Sequence, residues 1–180
     1  MSIEIVFETH STSTDNESGI ATGWLEGGLS ESGRGEAEKL GERRRGDNIT
    51  AVLTSDSGRA VETAEIAFGG SGIPIHQDRR LRECNYGELN GKPVPELDAV
   101  RSRHVDEPFP GGESYREVVD RVRGFLDDLP SGLEGKRIVV IGHSATRWAL
   151  DHLLSGEALE ELVAAPFDWR EGWLYVLPTS

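Results

Sequence analysis

The chain has 180 residues, 36% of them hydrophobic and 28% charged, and 19 basic against 32 acidic side chains give a net charge of -13. That length fits one domain, residues 1–180, with a single sizeable core. The acid excess excludes nonspecific binding to nucleic acid or to an anionic membrane, since both need a basic field, and any anionic substrate must be held by a local cluster of positive groups. No apolar run reaches the ~20 residues that cross a bilayer. Met1 to His10 carries Glu4 and Glu8 but no lysine or arginine, unlike the start of a secretory signal. Cys84 is the only cysteine, so no internal disulfide forms, and a cytoplasmic location is the expectation.

Ile3 to Phe7 is a β-branched and aromatic run that reads as a buried strand. The hydroxyl-rich stretch Ser11 to Asn16 cannot continue it and reads as a loop, which puts His10 at the carboxyl end of the strand. Ligand crevices of open α/β sheets form at that end. Ile20 to Leu29 is glycine-rich and reads as irregular. Ser30 precedes a helix expected over 31–45, whose last residues, Arg43 to Arg45, suit a solvated helix C-terminus.

Ala51 to Thr54 is a second short strand, and the spacing of Val61, Ala64 and Phe68 predicts a helix over 58–68. Arg59 falls in its first turn. That is the unfavourable end for a cation unless an anion sits beside the free amides. Ile73 to His76 reads as extended, and Leu81 to Gly91 as a loop carrying Glu83 and Glu88. Helical spacing returns over 94–103, and Ser114 with Glu117 is a capping box for a helix to about residue 129. Arg137 to Gly142 is the strongest strand, with His143 and Ser144 at its end and a helix over 145–154. Leu159 to Ala164 reads as a short helix and Trp173 to Leu177 as a final strand. Alternating strands and helices imply an α/β domain, a largely parallel sheet covered on both faces.

Two strand-end histidines, a first-turn arginine and a loop glutamate are a chemically coherent set. An imidazole can attack phosphorus and carry the phosphoryl group. A second imidazole, a guanidinium and helix amides stabilise charge on the equatorial oxygens. A carboxylic acid can protonate the departing alkoxide and then activate water.

The chain resembles the histidine phosphatase superfamily, in its phosphoglycerate-mutase-like branch. Val6 to Thr12 resembles the opening strand and the Arg-His-Gly motif of that family, and Thr54 to Ala64 resembles its second arginine motif. Gly23-Trp24, Leu29-Ser30, Gly33 and Ala37 fit the segment between. Leu81 to Gly91 resembles the acid loop, Pro110 to Ser114 is typical of the family, and Val139 to His143 resembles the strand carrying the second histidine. The resemblance implies a three-layer α/β/α fold with a mostly parallel sheet. It also implies a phosphatase acting on a small phosphorylated metabolite, with His10 as nucleophile, Glu83 as general acid and base, and His143 as second histidine. Arg59 and Asn16 would bind phosphate. The family arginine is Thr9 here, its glycine is Ser11, and Ser144 replaces the glycine after the second histidine. The hydroxyls of Thr9, Ser11 and Ser144 are candidate phosphate donors, and Arg147, one helical turn past His143, is the candidate replacement cation.

No metal-ligand spacing, Walker loop or dinucleotide fingerprint is present, so neither metal nor cofactor is expected. A homodimer is compatible with the chain. Two other readings remain: a binding or regulatory protein that kept the fold while losing catalysis, and a serine hydrolase in which Gly142 to Thr146 partly mimics a nucleophile elbow at Ser144.

Overall fold

The five strands expected from the sequence assemble into one sheet, and side-chain alternation along them fixes where the helices lie. The structure, a computed structural model, describes residues 1–179. In chain order the elements are β1 (Ser2–Thr9), α1 (Thr14–Ser18), β2 (Ile20–Ala21), α2 (Glu31–Arg44), β3 (Ile49–Thr54), α3 (Gly58–Phe68) and β4 (Ile75–Gln77). They continue with β5 (Lys92–Pro93), α4 (Val94–Asp98), α5 (Tyr115–Asp127), β6 (Arg137–Gly142), α6 (Ser144–Ser155), α7 (Leu159–Ala164) and β7 (Trp173–Pro178).

The main sheet has the order β4-β3-β6-β1-β7, parallel throughout except for the antiparallel edge strand β7. Ile138 and Val140 of β6 point into a core with α5 and α6, while Val139 and Ile141 point into a second core with α2 and α3. Both faces of the central strands are thus covered, which explains why β6 is apolar at nearly every position. The result is a three-layer α/β/α fold. Strands β1, β6 and β3 end side by side at its carboxyl edge, at Thr9, Gly142 and Thr54.

Nonlocal partners account for the local corrections. Ser11 to Asn16 is not all loop: Ser13 caps α1, accepting from the Asn16 N–H at 3.0 Å while its own N–H donates to Asn16 Oδ1 at 2.9 Å. The stretch expected to be irregular contains β2, which pairs with β5. The helix expected over 94–103 breaks after α4 into a 3-10 turn over Arg101–His104. Arg43 and Arg44 are not simply solvated. Both hold the buried carboxylate of Glu8, at 2.9 and 2.8 Å.

Candidate active site

The three strand ends open on one cleft of about 630 Å³, lined by Thr9, His10, Asn16, Arg59, Glu83, His143 and Ser144 among others. His10 comes directly after β1 and His143 directly after β6, with ring centroids 5.1 Å apart. Arg59 enters from the first turn of α3, and Glu83 from the loop between β4 and β5.

His10 Nδ1 lies 2.7 Å from the Ser11 carbonyl oxygen. A carbonyl only accepts, so Nδ1 carries the proton and Nε2 keeps its lone pair. Desolvation, and secondarily the Arg59 charge, lower the His10 pKa to about 3. At neutral pH the ring is therefore uncharged, with a lone pair on Nε2.

His143 is buried, and its pKa is held well below the usual range, first by desolvation and then by Arg59 and His10. Its Nδ1 is 3.4 Å from Arg59 Nη2, which only donates. That assigns the ring proton to Nε2, which faces Ser55 Oγ at 3.0 Å and Ser57 Oγ at 3.1 Å. Arg59 Nη2 also donates to the Gly23 carbonyl at 3.0 Å, whereas Nη1 is buried with no hydrogen-bond partner among the described residues. An unsatisfied buried donor costs roughly 1–3 kcal/mol, a penalty that a bound anion would relieve.

Glu83 is 8% exposed, and desolvation raises its pKa. Its Oε1 accepts from the Cys84 N–H at 2.8 Å and from the Ala145 N–H, at the start of α6, at 3.3 Å. Oε2 is left free of these amides to hold a proton. The Glu83 carbonyl is pinned by Trp24 Nε1 at 2.7 Å and Arg121 Nη2 at 2.9 Å. Thr146 couples this loop to the second histidine, accepting from the His143 N–H at 3.1 Å and donating to the Leu81 carbonyl at 2.8 Å. Gly87 lets the acid loop turn, with φ of 56° and its Cα against the backbone of Pro110 to Gly112.

The other expected residues are distributed unevenly. Thr9 and Ser144 line the cleft. Asn16 also lines it, but its Oδ1 is engaged in the α1 cap, leaving the amide NH2 to reach a ligand. Ser11 lies in an adjoining cavity, its N–H donating to Thr63 Oγ1 at 3.0 Å. Arg147 is a correction: its Nε is 2.9 Å from Asp151 Oδ2 and its guanidinium lies 5.2 Å from the Trp173 ring centroid, so it is held by these partners behind the cleft wall and does not line the cleft. Ser144 makes no hydrogen bond to a histidine among the described residues, and His152 Nδ1 faces the Glu157 carbonyl at 2.7 Å. The elbow reading therefore lacks its base.

The sequence gives no sign of Arg101 in the cleft wall or of Ser55 and Ser57 on His143, while Phe167 and Trp169, tail aromatics that read mainly as packing and secondarily as cleft residues, line the cleft. Among the described residues, no three His, Cys, Asp or Glu side chains group as a metal ion needs. No helix among them is long and apolar enough to cross a membrane.

Paired strand-end imidazoles, a buried guanidinium and a carboxyl of raised pKa define a phosphoryl-transfer class of site. The chain belongs to the histidine phosphatase superfamily (branch 1), whose family model matches residues 5–169. It is 28% identical over 199 residues to a 2,3-bisphosphoglycerate-dependent phosphoglycerate mutase of Bifidobacterium longum, covering 90% of this chain and 81% of that one. The structure of YhfR from Bacillus stearothermophilus is similar at TM-score 0.83 and 28% identity, over 98% of this chain and 91% of that one. A mycobacterial glucosyl-3-phosphoglycerate phosphatase complexed with VO3 is similar at TM-score 0.77 and 25% identity, over 91% and 87% of the two chains. A mutase and a phosphatase stand among these relatives, and an enzyme of that broad type is what the family makes of this chain.

Proposed function

We propose that the protein is a metal-independent phosphatase that hydrolyses a small phosphomonoester through a phosphohistidine on His10. The observation that carries this reading is the unprotonated Nε2 of His10 in the same cleft as Arg59, whose Nη1 is unpartnered: a nucleophile and an unfilled anion donor lining one cavity. In the first step the Nε2 lone pair forms the N–P bond while the ester P–O bond breaks. The Glu83 carboxyl gives its proton to the departing alkoxide. In the second step the Glu83 carboxylate takes a proton from water, the water oxygen bonds to phosphorus, and the N–P bond breaks. Inorganic phosphate leaves, with neutral His10 and protonated Glu83 restored.

Arg59 stabilises the equatorial oxygens in both steps, and the dianion itself favours protonation of His143, which then adds a second charged donor. The substrate class is a small phosphorylated metabolite. A second reading, a binding protein with impaired catalysis, is favoured by one observation: Thr9 brings no charge where the family has arginine.

Phosphate release from a panel of phosphomonoesters, measured with a chelator present and beside His10→Ala, tests the proposal. Turnover that survives chelation and vanishes in the variant is expected. Absence of release from a folded protein that still binds phosphate would favour the binding reading.

A further inference from the structure

His10 borders two cavities. The second, about 400 Å³, opens on the α2 side of the nucleophile and shares Thr9, His10, Thr12, Glu36 and Trp169 with the cleft. Its outer wall adds Lys39 and Arg43. Positions 36, 39 and 43 recur at helical spacing, so one stripe of α2 runs along the loop after β1. Glu36 fastens that stripe to the loop, accepting from the Thr12 N–H and the Thr12 hydroxyl, each at 3.0 Å. Thr9 borders both cavities, and its short side chain brings no charge to either.

The cations around His10 differ in what already holds them. Arg101 sits 3.3 Å from Asp98 and donates to the Ala165 carbonyl at 2.9 Å. Arg43 is bound to Glu8, and Arg147 to Asp151. Lys39 is exposed and, among the described residues, enters no ion pair or side-chain hydrogen bond. The other charged groups facing it are Glu36, Arg43 and Glu171. Arg43 is taken up by Glu8 and so is not free to neutralise an incoming dianion, while Glu36, held by Thr12, and Glu171 add negative charge that a phosphate ligand needs a cation to offset. An ammonium on a flexible four-carbon stem suits a cation that must cross an open space to its ligand.

We propose that Lys39 is a phosphate-binding residue: from α2 it reaches through the space beside Thr9 and pairs with the phosphoryl oxygens held at His10. The assignment rests on the phosphatase reading for its catalytic consequence, but not for its binding consequence. Lys39 thereby supplies from a helix the charge that β1 lacks.

The test measures inorganic phosphate binding and, separately, kcat/KM for phosphomonoester hydrolysis, in the wild type, Lys39→Ala, Lys39→Arg and the charge control Lys136→Ala. Lys39→Ala is expected to weaken phosphate binding and kcat/KM by about ten-fold, as for loss of one charge-assisted hydrogen bond. Lys39→Arg should recover most of the loss, and Lys136→Ala should change neither. In a Thr9→Arg background the Lys39→Ala effect should shrink, because the two cations serve the same oxygens. Unchanged binding in Lys39→Ala, or an equal loss in Lys136→Ala, would overturn the proposal. Phosphate binding that depends on Lys39 in a protein without turnover would instead sink the phosphatase reading and leave this one standing.

Discussion

His10 keeps its Nδ1 proton on the Ser11 carbonyl at 2.7 Å, and desolvation with the Arg59 charge lowers its pKa to about 3. Glu83 is shifted the other way, raised by desolvation against the opposing pull of the Cys84 N–H and Arg59. Two groups pushed apart in this manner suit the proposed division of labour, His10 as unprotonated nucleophile and Glu83 as proton donor. These opposite shifts set the sign of the pH dependence. Lowering pH from neutrality leaves His10 deprotonated until about pH 3, while raising pH through the elevated Glu83 pKa removes the proton the leaving group needs. kcat/KM should therefore fall as pH rises through that pKa. Glu83→Gln should abolish this limb and slow hydrolysis of an alkyl phosphate by roughly 100-fold or more. In kcat/KM, which reports only the steps through formation of the phosphohistidine, a p-nitrophenyl ester, which leaves without protonation, should lose far less. Equal losses for both esters would remove Glu83 from the role of acid.

At the scale of elements, the site is held by contacts between segments distant in the chain. Thr146 receives the His143 N–H and donates to the Leu81 carbonyl, so α6 and the acid loop share one hydroxyl. Thr146→Val keeps the side-chain shape and leaves both buried groups unpaired. It should cost about 1–3 kcal/mol in chemical denaturation and lower kcat, since both the histidine and the acid lose their common anchor. A stable variant with unchanged kcat would show that the link is dispensable. The same distinction between local and distant causes explains what was legible in the sequence. The helix α3, the strand β6 and the helix α7 arise from short-range periodicity, and Ser114 with Glu117 spells its own cap. By contrast, β2 exists only because β5, far along the chain, pairs with it. Arg43 and Arg44 look like a helix end until Glu8 is seen beneath them. His10, Arg59 and His143 could be picked out because each stands at an element boundary, whereas Glu83 was set apart from Glu88 only by the resemblance of its loop to the family's acid loop. Lys39, Arg101, Ser55 and Ser57 carry no such mark, and only the folded chain shows what they face.

Across the whole molecule, the parallel order of β3, β6 and β1 gathers three strand ends at one edge, and the chemistry is assembled from the residues just beyond those ends. The net charge of -13 opposes capture of any phosphorylated substrate from a distance, so affinity depends on the few cations within the cleft. Arg59, with its unpartnered Nη1, is the buried one among them. The resemblance puts Thr9, which carries no charge, where the family motif has arginine, and the covalent step on His10 is where that difference bears most. Direct trapping of the intermediate tests it: the enzyme is mixed with a p-nitrophenyl ester, quenched in alkali where phosphohistidine survives, and the phosphorylated residue is located by mass spectrometry and phosphorus NMR. The expected result is a phosphoryl group on His10 Nε2, absent from His10→Ala and accumulating in Glu83→Gln, where its hydrolysis is slowed. Turnover with no phosphoryl on His10, or with the group on Ser144, would contradict the phosphohistidine mechanism.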